Sequence, residues 1–296
     1  MAIETYPDFT PLRLAHRDAL EIHLRADPPG TSEFALLNLF GWRRRYRFAV
    51  ARWPRNDALL LRAEARARPE YLPPVGRGDK ASLIADVLAR EPGARFIRVP
   101  AASARPLLAH PNIRGEADRD NADYLYSTRD LVDLKGRRYD GKRNHIKRFH
   151  AEHDARYVDI GPAERSEAWA LEEAWCAARD CDGSESLRHE RDAVRFMLDH
   201  FASFPLSGGA LRVSDRLVAL ILAEPLNPDT LLIHTFKALP DFTGAAPAVY
   251  REFLARRGGG FTYVNMEQDL GLPGLRRSKL SYHPREIRKK FTLAAA

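Results

Sequence analysis

Asn265-Met266-Glu267-Gln268-Asp269-Leu270-Gly271-Leu272-Pro273-Gly274-Leu275-Arg276-Arg277-Ser278-Lys279-Leu280-Ser281-Tyr282-His283-Pro284 is the stretch on which the reading of this chain turns. It grows out of an apolar segment, residues 261–266, with the composition of a short strand. Asn265, Glu267 and Asp269 alternate by two and share one side while that strand lasts. Two carboxylates and an amide are too many for a dry core unless they are partnered, and Arg276, Arg277 and Lys279 follow closely enough to partner them. The residues leave two readings open: a structural ion network, or a catalytic wall with a carboxylate base and basic anion binders.

Upstream, residues 211–214 and 217–224 read as a hairpin about Asp215-Arg216, and residues 231–236 as a third strand. A loop with Gly244 and a helix over about 247–257, stopped by Gly258-Gly259-Gly260, complete the order expected of an antiparallel sheet that turns into a crossover unit. Alternation puts His234 and Phe236 on one face of the strand and Thr235 and Lys237 on the other. Free N–H groups at the start of the helix after Gly244 suit an anion or an acyl oxygen. Two further helices are expected over 165–179 and 190–201.

Residues 135–149, KGRRYDGKRNHIKRF, hold seven Lys/Arg against one Asp. Ile146 and Phe149 can anchor one helical face, while Arg143 and Lys147 stand together on another, a self-repelling face that an anion such as phosphate would relieve. Residues 276–290 carry a second set of seven Lys/Arg, and the two segments are expected to flank one groove.

The first half repeats the theme. A helix over 12–25, strands over 47–53 and 58–63, a helix over 79–90 capped by Asp79, and a strand over 96–99 are expected. A polar connection over about 110–135 separates the halves, with residues 124–126 and 131–134 read as strands or turns. This gives a domain over 1–120 and another over 121–296.

The chain has 296 residues, 45% of them hydrophobic and 29% charged, enough for two cores without staples. Lys+Arg exceed Asp+Glu by 47 to 40, a net +7 that favours an anionic partner without naming one. Cys176 and Cys181 are too few and wrongly spaced for a four-ligand metal site, and no metal is expected. Both are read as reduced thiols of a cytoplasmic protein. No apolar run nears the roughly 20 residues that span a bilayer. No transmembrane insertion is expected, and peripheral membrane contact stays open.

The quoted segment resembles the carboxy-terminal domain family of phosphatidylglycerol lysyltransferase, including its free-standing soluble members. It follows the pattern NxExDxGxxGLRxxKxSYxP, and Tyr124-Leu125-Tyr126, Leu134-Lys135-Gly136, Lys142-Arg143-Asn144-His145-Ile146 with Phe149, and the His234 strand with Lys237-Ala238 and Gly244 also match. The resemblance implies an α/β (α+β) chain of two tandem acetyltransferase-like (GNAT) domains, each a mixed, mainly antiparallel sheet flanked by helices. It implies an aminoacyl- or acyl-transferase drawing on aminoacyl-tRNA or a coenzyme A thioester, with no tightly bound cofactor. The acceptor would be an amine or hydroxyl of a small molecule or head group, and tRNA the partner. The alternatives are a coenzyme-A-dependent N-acyltransferase and a non-catalytic tRNA- or nucleotide-binding module.

Catalytic roles then fall to Glu267, Asp269, His234, Lys237 and Asn265, with Glu267 facing substrate and Asp269 holding the loop. Donor or anion contacts fall to Lys142, Arg143, Asn144, Lys147, Gly244, Arg276, Lys279 and His283. Phe236 departs from the family, which usually carries an acid there, and no loop for the pyrophosphate of coenzyme A is evident, since Gly258-Gly259-Gly260 follows a helix.

Overall fold

The computed structural model describes residues 2–65 and 67–296. Among these the strands are, in chain order, β1 (Thr10–Pro11), β2 (Phe48–Arg52), β3 (Leu59–Ala63), β4 (Glu70–Tyr71), β5 (Arg95–Pro100), β6 (Ile113–Ser127), β7 (Ala155–Asp159), β8 (Ser207–Val213), β9 (Arg216–Asn227), β10 (Thr230–Ala238), β11 (Tyr263–Asn265) and β12 (Glu286–Ala295). The chain divides into two compact units. The first runs to Asp123 and regains Gln268–Arg276 and Ile287–Ala296; the second comprises Tyr124–Glu267 and Arg277–Glu286. The change of unit falls inside β6, a few residues beyond the expected boundary. The late segments return to the first unit because β12 pairs with β5.

In the first unit the strand order is β1-β2-β3-β4-β5-β12-β6. β4 and β5 are parallel, while the pairs β1/β2, β2/β3, β3/β4 and β5/β12 are antiparallel. The helix Lys80–Arg90 makes the crossover that a parallel pair requires. It starts where expected, because the Asp79 side chain accepts the Ser82 N–H at 3.0 Å. Its Leu83, Ile84, Val87 and Leu88 are buried with Tyr71, Phe96, Val99 and Leu293 in one core.

The polar run expected to be a connection is instead the first part of β6. A sheet ladder satisfies the backbone whatever the side chains are, so a mostly solvated strand can be polar along its length. Residues 131–134 are neither strand nor free turn. They end the helix Thr128–Asp133, capped by Ser127, whose hydroxyl accepts the Asp130 N–H at 3.3 Å.

In the second unit the order is β6-β11-β10-β9-β8-β7. β10 and β11 are parallel and the helix Ala245–Arg257 crosses between them, so each unit has a parallel pair joined by a helix. The pairs β6/β11, β9/β10, β8/β9 and β7/β8 are antiparallel. Helix Asp140–Glu152 buries Ile146 and Phe149, as their i,i+3 spacing requires. Cys176 and Cys181, expected to be free thiols, form a disulfide with Cα atoms 5.0 Å apart. Asp180 ends the helix Arg165–Arg179 in the left-handed region, φ 51°, and turns the chain back to bring Cys181 under Cys176.

Gly244 starts the crossover helix at φ +94°, and a Cβ there would lie 2.3 Å from the His145 carbonyl oxygen. Gly244→Ala is therefore expected to destabilise the protein by about 2 kcal/mol or more, adding a backbone clash to left-handed strain. Gly141→Ala, where a Cβ meets nothing within 4 Å in a helix, is expected to be neutral or stabilising by up to ~1 kcal/mol. Thermal denaturation of the two variants beside the native chain checks both.

Candidate active site

β10 and β11 pair over only three positions, Thr230 with Tyr263, Leu231 with Val264 and Leu232 with Asn265. Beyond them β10 stays on β9 through Ala238, whereas the chain after Asn265 follows β6, with the Met266 N–H on the Tyr124 carbonyl at 3.0 Å. The parallel strands thus separate at their carboxyl ends, where α/β sheets commonly hold ligands. Asn265 fixes the departure: fully buried, it accepts the Glu267 N–H on its side-chain oxygen at 2.7 Å. Glu267 sits in the left-handed region at φ 56°, unusual for a residue with a side chain.

His234 fills the split. Its Nε2 lies 3.0 Å from Glu224 Oε1 and its Nδ1 3.4 Å from Glu267 Oε1. Burial alone would lower the imidazole pKa, but hydrogen bonds and charge from Glu224 and Glu267 outweigh it and lift the value to about 9. The ring is therefore a cation at neutral pH, not the neutral base that a lone histidine would suggest. Glu224 and His234 are closed off from solvent, while the Glu267 side chain keeps 21% of its exposure. A buried cation thus orients a carboxylate that stays partly in solvent. His234 stands between the two acids, and among the described residues no group of His, Cys, Asp and Glu is arranged to hold a metal ion.

The other expected site residues are distributed differently. Lys237 lies on the opposite face of β10 from Phe236, where Nζ meets Glu172 at 2.6 Å and Glu190 at 3.0 Å and lies 4.1 Å from the centre of the Trp175 ring. The register of β10 shifts between Ile233 and Thr235, so the expected sharing of one face by His234 and Phe236 does not follow. Asp269 is fully buried in the first unit. Its oxygens accept from Arg276 at 2.8 and 2.9 Å, from Arg119 at 3.0 Å and from the Gly271 N–H at 2.9 Å. Arg276 also holds Asp120 at 2.7 Å. Lys279 is buried and donates to the Met266 carbonyl, and the His283 ring nitrogen donates to the Arg138 carbonyl at 3.0 Å. Gly244 serves a close helix approach, as described above.

The basic run is less bare than its sequence suggests. Lys135 pairs with Asp133 at 3.2 Å, Arg138 with Asp130 at 3.0 Å, Arg148 with Glu152 at 3.5 Å, and Arg143 with Asp140. Arg143 also donates to the carbonyls of Leu134 and Gly136. Asn144 and Lys147 remain exposed on the helix. Lys142 differs from its neighbours: it is half-buried, with Nζ 3.8 Å from the centre of the Tyr282 ring, and burial lowers its pKa to about 8. Of the second basic segment, Tyr282 and His283 adjoin the first, through Lys142, Tyr139 and Arg138. Lys290 is instead fully buried in the first unit, 2.6 Å from both Glu33 and Asp123.

Sequence reasoning missed Glu224, Glu172 and Tyr250. The first carried a signal, since Glu224 is the only acid in the otherwise apolar run 217–226. An ionisable group in such a buried strand requires a partner.

The chain belongs to the family described as phosphatidylglycerol lysyltransferase, C-terminal, which it matches over residues 27–294. A conserved protein of unknown function from Bacteroides thetaiotaomicron VPI-5482 is similar at 31% identity and TM-score 0.88, over 97% of this chain and 99% of that one. L-PGS from Bacillus licheniformis is similar in fold, with 16% identity and TM-score 0.66 over 99% of this chain and 94% of that one. FemX has the same fold at 9% identity and TM-score 0.61, over 98% of this chain and 97% of that one. Comparison with curated proteins gives no match. The fold is tandem GNAT-like, and among the described residues no helix is long and apolar enough to cross a membrane.

The raised His234 pKa makes stability depend on pH in a defined direction. Its contribution is fully present below the ordinary value of 6.5 and is lost as pH rises through about 9. The stability gap between the native chain and His234→Gln should therefore narrow by on the order of 3 kcal/mol between about pH 6 and about pH 10. Urea titrations across that range measure it; a gap independent of pH would show that His234 is not a buried cation. Asp269→Asn should lower the melting temperature more than Glu267→Gln, because Asp269 holds two arginines and a backbone amide. Parallel thermal scans give the ranking.

Proposed function

We propose that this chain is an aminoacyl- or acyl-transferase that moves an acyl group from an activated ester, aminoacyl-tRNA, to an amine or hydroxyl acceptor. The observation that carries this reading is the Glu267 carboxylate, solvent-facing and braced by cationic His234 where β10 and β11 separate. Membership of a family described by lysyl transfer supports an aminoacyl donor. An amino-terminal or head-group amine and a hydroxyl are both acceptors that a carboxylate base can activate.

With an amine acceptor, Glu267 takes a proton from the ammonium and the freed nitrogen attacks the acyl carbonyl carbon. The C–N bond forms and the C–O bond to the ribose breaks. The remaining excess proton on nitrogen passes to the departing ribose oxygen, and Glu267 returns its proton to solvent. The ester already stores the driving force, so alignment and charge stabilisation are what the protein must add. Asn265 and His234 set the position of Glu267 without touching substrate.

The test is a single-turnover assay in which charged total tRNA is mixed with the protein and a pool of amines and hydroxyl compounds, and label leaving the tRNA is followed. Glu267→Gln should slow transfer by a factor of about 10² or more, while lowering the melting temperature less than Asp269→Asn does. Native transfer rates in that variant would remove Glu267 as the base. Binding of tRNA without transfer of its acyl group would favour a non-catalytic module, and transfer only from coenzyme A thioesters a coenzyme-A-dependent N-acyltransferase. Binding of tRNA through its phosphates should weaken steeply as salt rises.

A further inference from the structure

The Cys176–Cys181 disulfide forms part of the wall of a cavity of about 250 Å³ in the second unit. Glu173, Asp180, Asp182 and Arg191 line it with the two cysteines. Glu173, Asp180 and Asp182 are exposed, so the cavity is open to solvent on their side. A solute of a few heavy atoms can enter there and meet the disulfide.

The turn that carries the bond is held by other means. The Gly183 N–H donates to the Asp180 carbonyl and the Ser184 N–H to the Cys181 carbonyl, each at 3.1 Å, and Arg191 pairs with Asp182 at 3.1 Å. The Ser184 hydroxyl caps the helix Glu185–Asp199 by accepting the Leu187 N–H at 3.4 Å. A link between residues five apart also removes less chain entropy than one that closes a long loop. The bond can therefore open and reclose on a standing framework, as reversible exchange requires.

Charge around the disulfide is one-sided. Three carboxylates line the cavity against one guanidinium, which Asp182 already engages. Glu173 and Asp180 make no ion pair among the described residues, and they stand three residues before Cys176 and four after it. Such spacings bring side chains together along a helix.

We propose that the Cys176–Cys181 disulfide is a thiol-exchange site and that it takes small cationic thiols, the aminothiols. The thiolate of the ligand attacks Cys176 Sγ. A new S–S bond forms there, the Cys176–Cys181 bond breaks, and its electron pair leaves on Cys181 Sγ, which takes up the proton released by the incoming thiol. The direction follows from Glu172, whose Oε1 lies 3.8 Å from Cys176 Sγ and disfavours negative charge on that sulfur, whereas Arg191 serves the cavity wall as a cation. The ammonium of the bound ligand lies with Glu173 and Asp180. Return attack by the Cys181 thiolate expels the ligand and restores the disulfide. The site uses none of the groups assigned to acyl transfer and stands apart from that reading.

The intact chain is incubated with cysteamine, 2-mercaptoethanol or 2-mercaptoethanesulfonate, quenched with N-ethylmaleimide, and read by intact-mass and peptide mass spectrometry. Each rate is divided by that of the same thiol with 2-hydroxyethyl disulfide, which removes differences in intrinsic reactivity. Cysteamine should open the bond at least about tenfold faster than 2-mercaptoethanesulfonate, with 2-mercaptoethanol between them, and the ratio should shrink at about 1 M salt. The mixed disulfide should map to Cys176 and the maleimide to Cys181. Glu173→Gln and Asp180→Asn should each lower the ratio. Equal normalised rates for the three thiols, a ratio unchanged in both variants, cysteamine attached to Cys181, or opening only in urea that unfolds the chain would overturn the assignment.

Discussion

The side-chain oxygen of Asn265 on the Glu267 amide is the constraint from which the second unit's chemistry follows. A parallel pair such as β10 and β11 would otherwise continue as long as both strands remain extended. Here the amide that would extend β11 is bound by a side chain from two residues before it, and Glu267 turns left-handed. The chain keeps its bonds to β6 and abandons β10. A gap opens that backbone no longer fills, and His234 and its two acids occupy it. An Asx-type turn is a small feature, but it converts a strand end into a place where a carboxylate is held at a fixed angle.

Among the described residues, four buried cations are closed in where acids or a carbonyl meet them. His234 has Glu224 and Glu267, Lys237 has Glu172 and Glu190, Lys290 has Glu33 and Asp123, and Lys279 has the Met266 carbonyl. Such arrangements rarely add stability over an apolar filling, but losing one partner is costly, so they fix geometry more than they strengthen the fold. They also explain why a net charge of +7 says little about a partner. Several of the basic residues are spent inside the protein.

The sequence was legible where local rules decide. Asp79 capped its helix, Ile146 and Phe149 faced inward together, and Phe236 and Lys237 took opposite faces of β10. It was not legible where a segment's composition contradicts its surroundings. The first part of β6 is polar because it is mostly solvated, and the start of β12 lay within the second basic segment although Lys290 is buried. Partners hundreds of residues apart in the chain, such as Lys290 with Glu33, leave no local trace. The disulfide was missed for a similar reason, because its closure depends on the left-handed turn at Asp180 and not on cysteine spacing alone.

Glu267 and Asp269 show how the same spacing can give opposite outcomes. Both belong to one alternating polar stretch, and alternation would put them on one side of a strand. The strand ends at Asn265, so the rule stops applying before either is reached. Glu267 remains with the second unit, beside His234 and partly in solvent. Asp269 passes to the first, where Arg276 and Arg119 surround it. A carboxylate whose oxygens are all engaged by arginines and an amide has no lone pair free for a substrate proton and acts as a brace. One beside a histidine and still partly in solvent is better placed to exchange a proton. The difference lies in where β11 ends, and that end is set by Asn265.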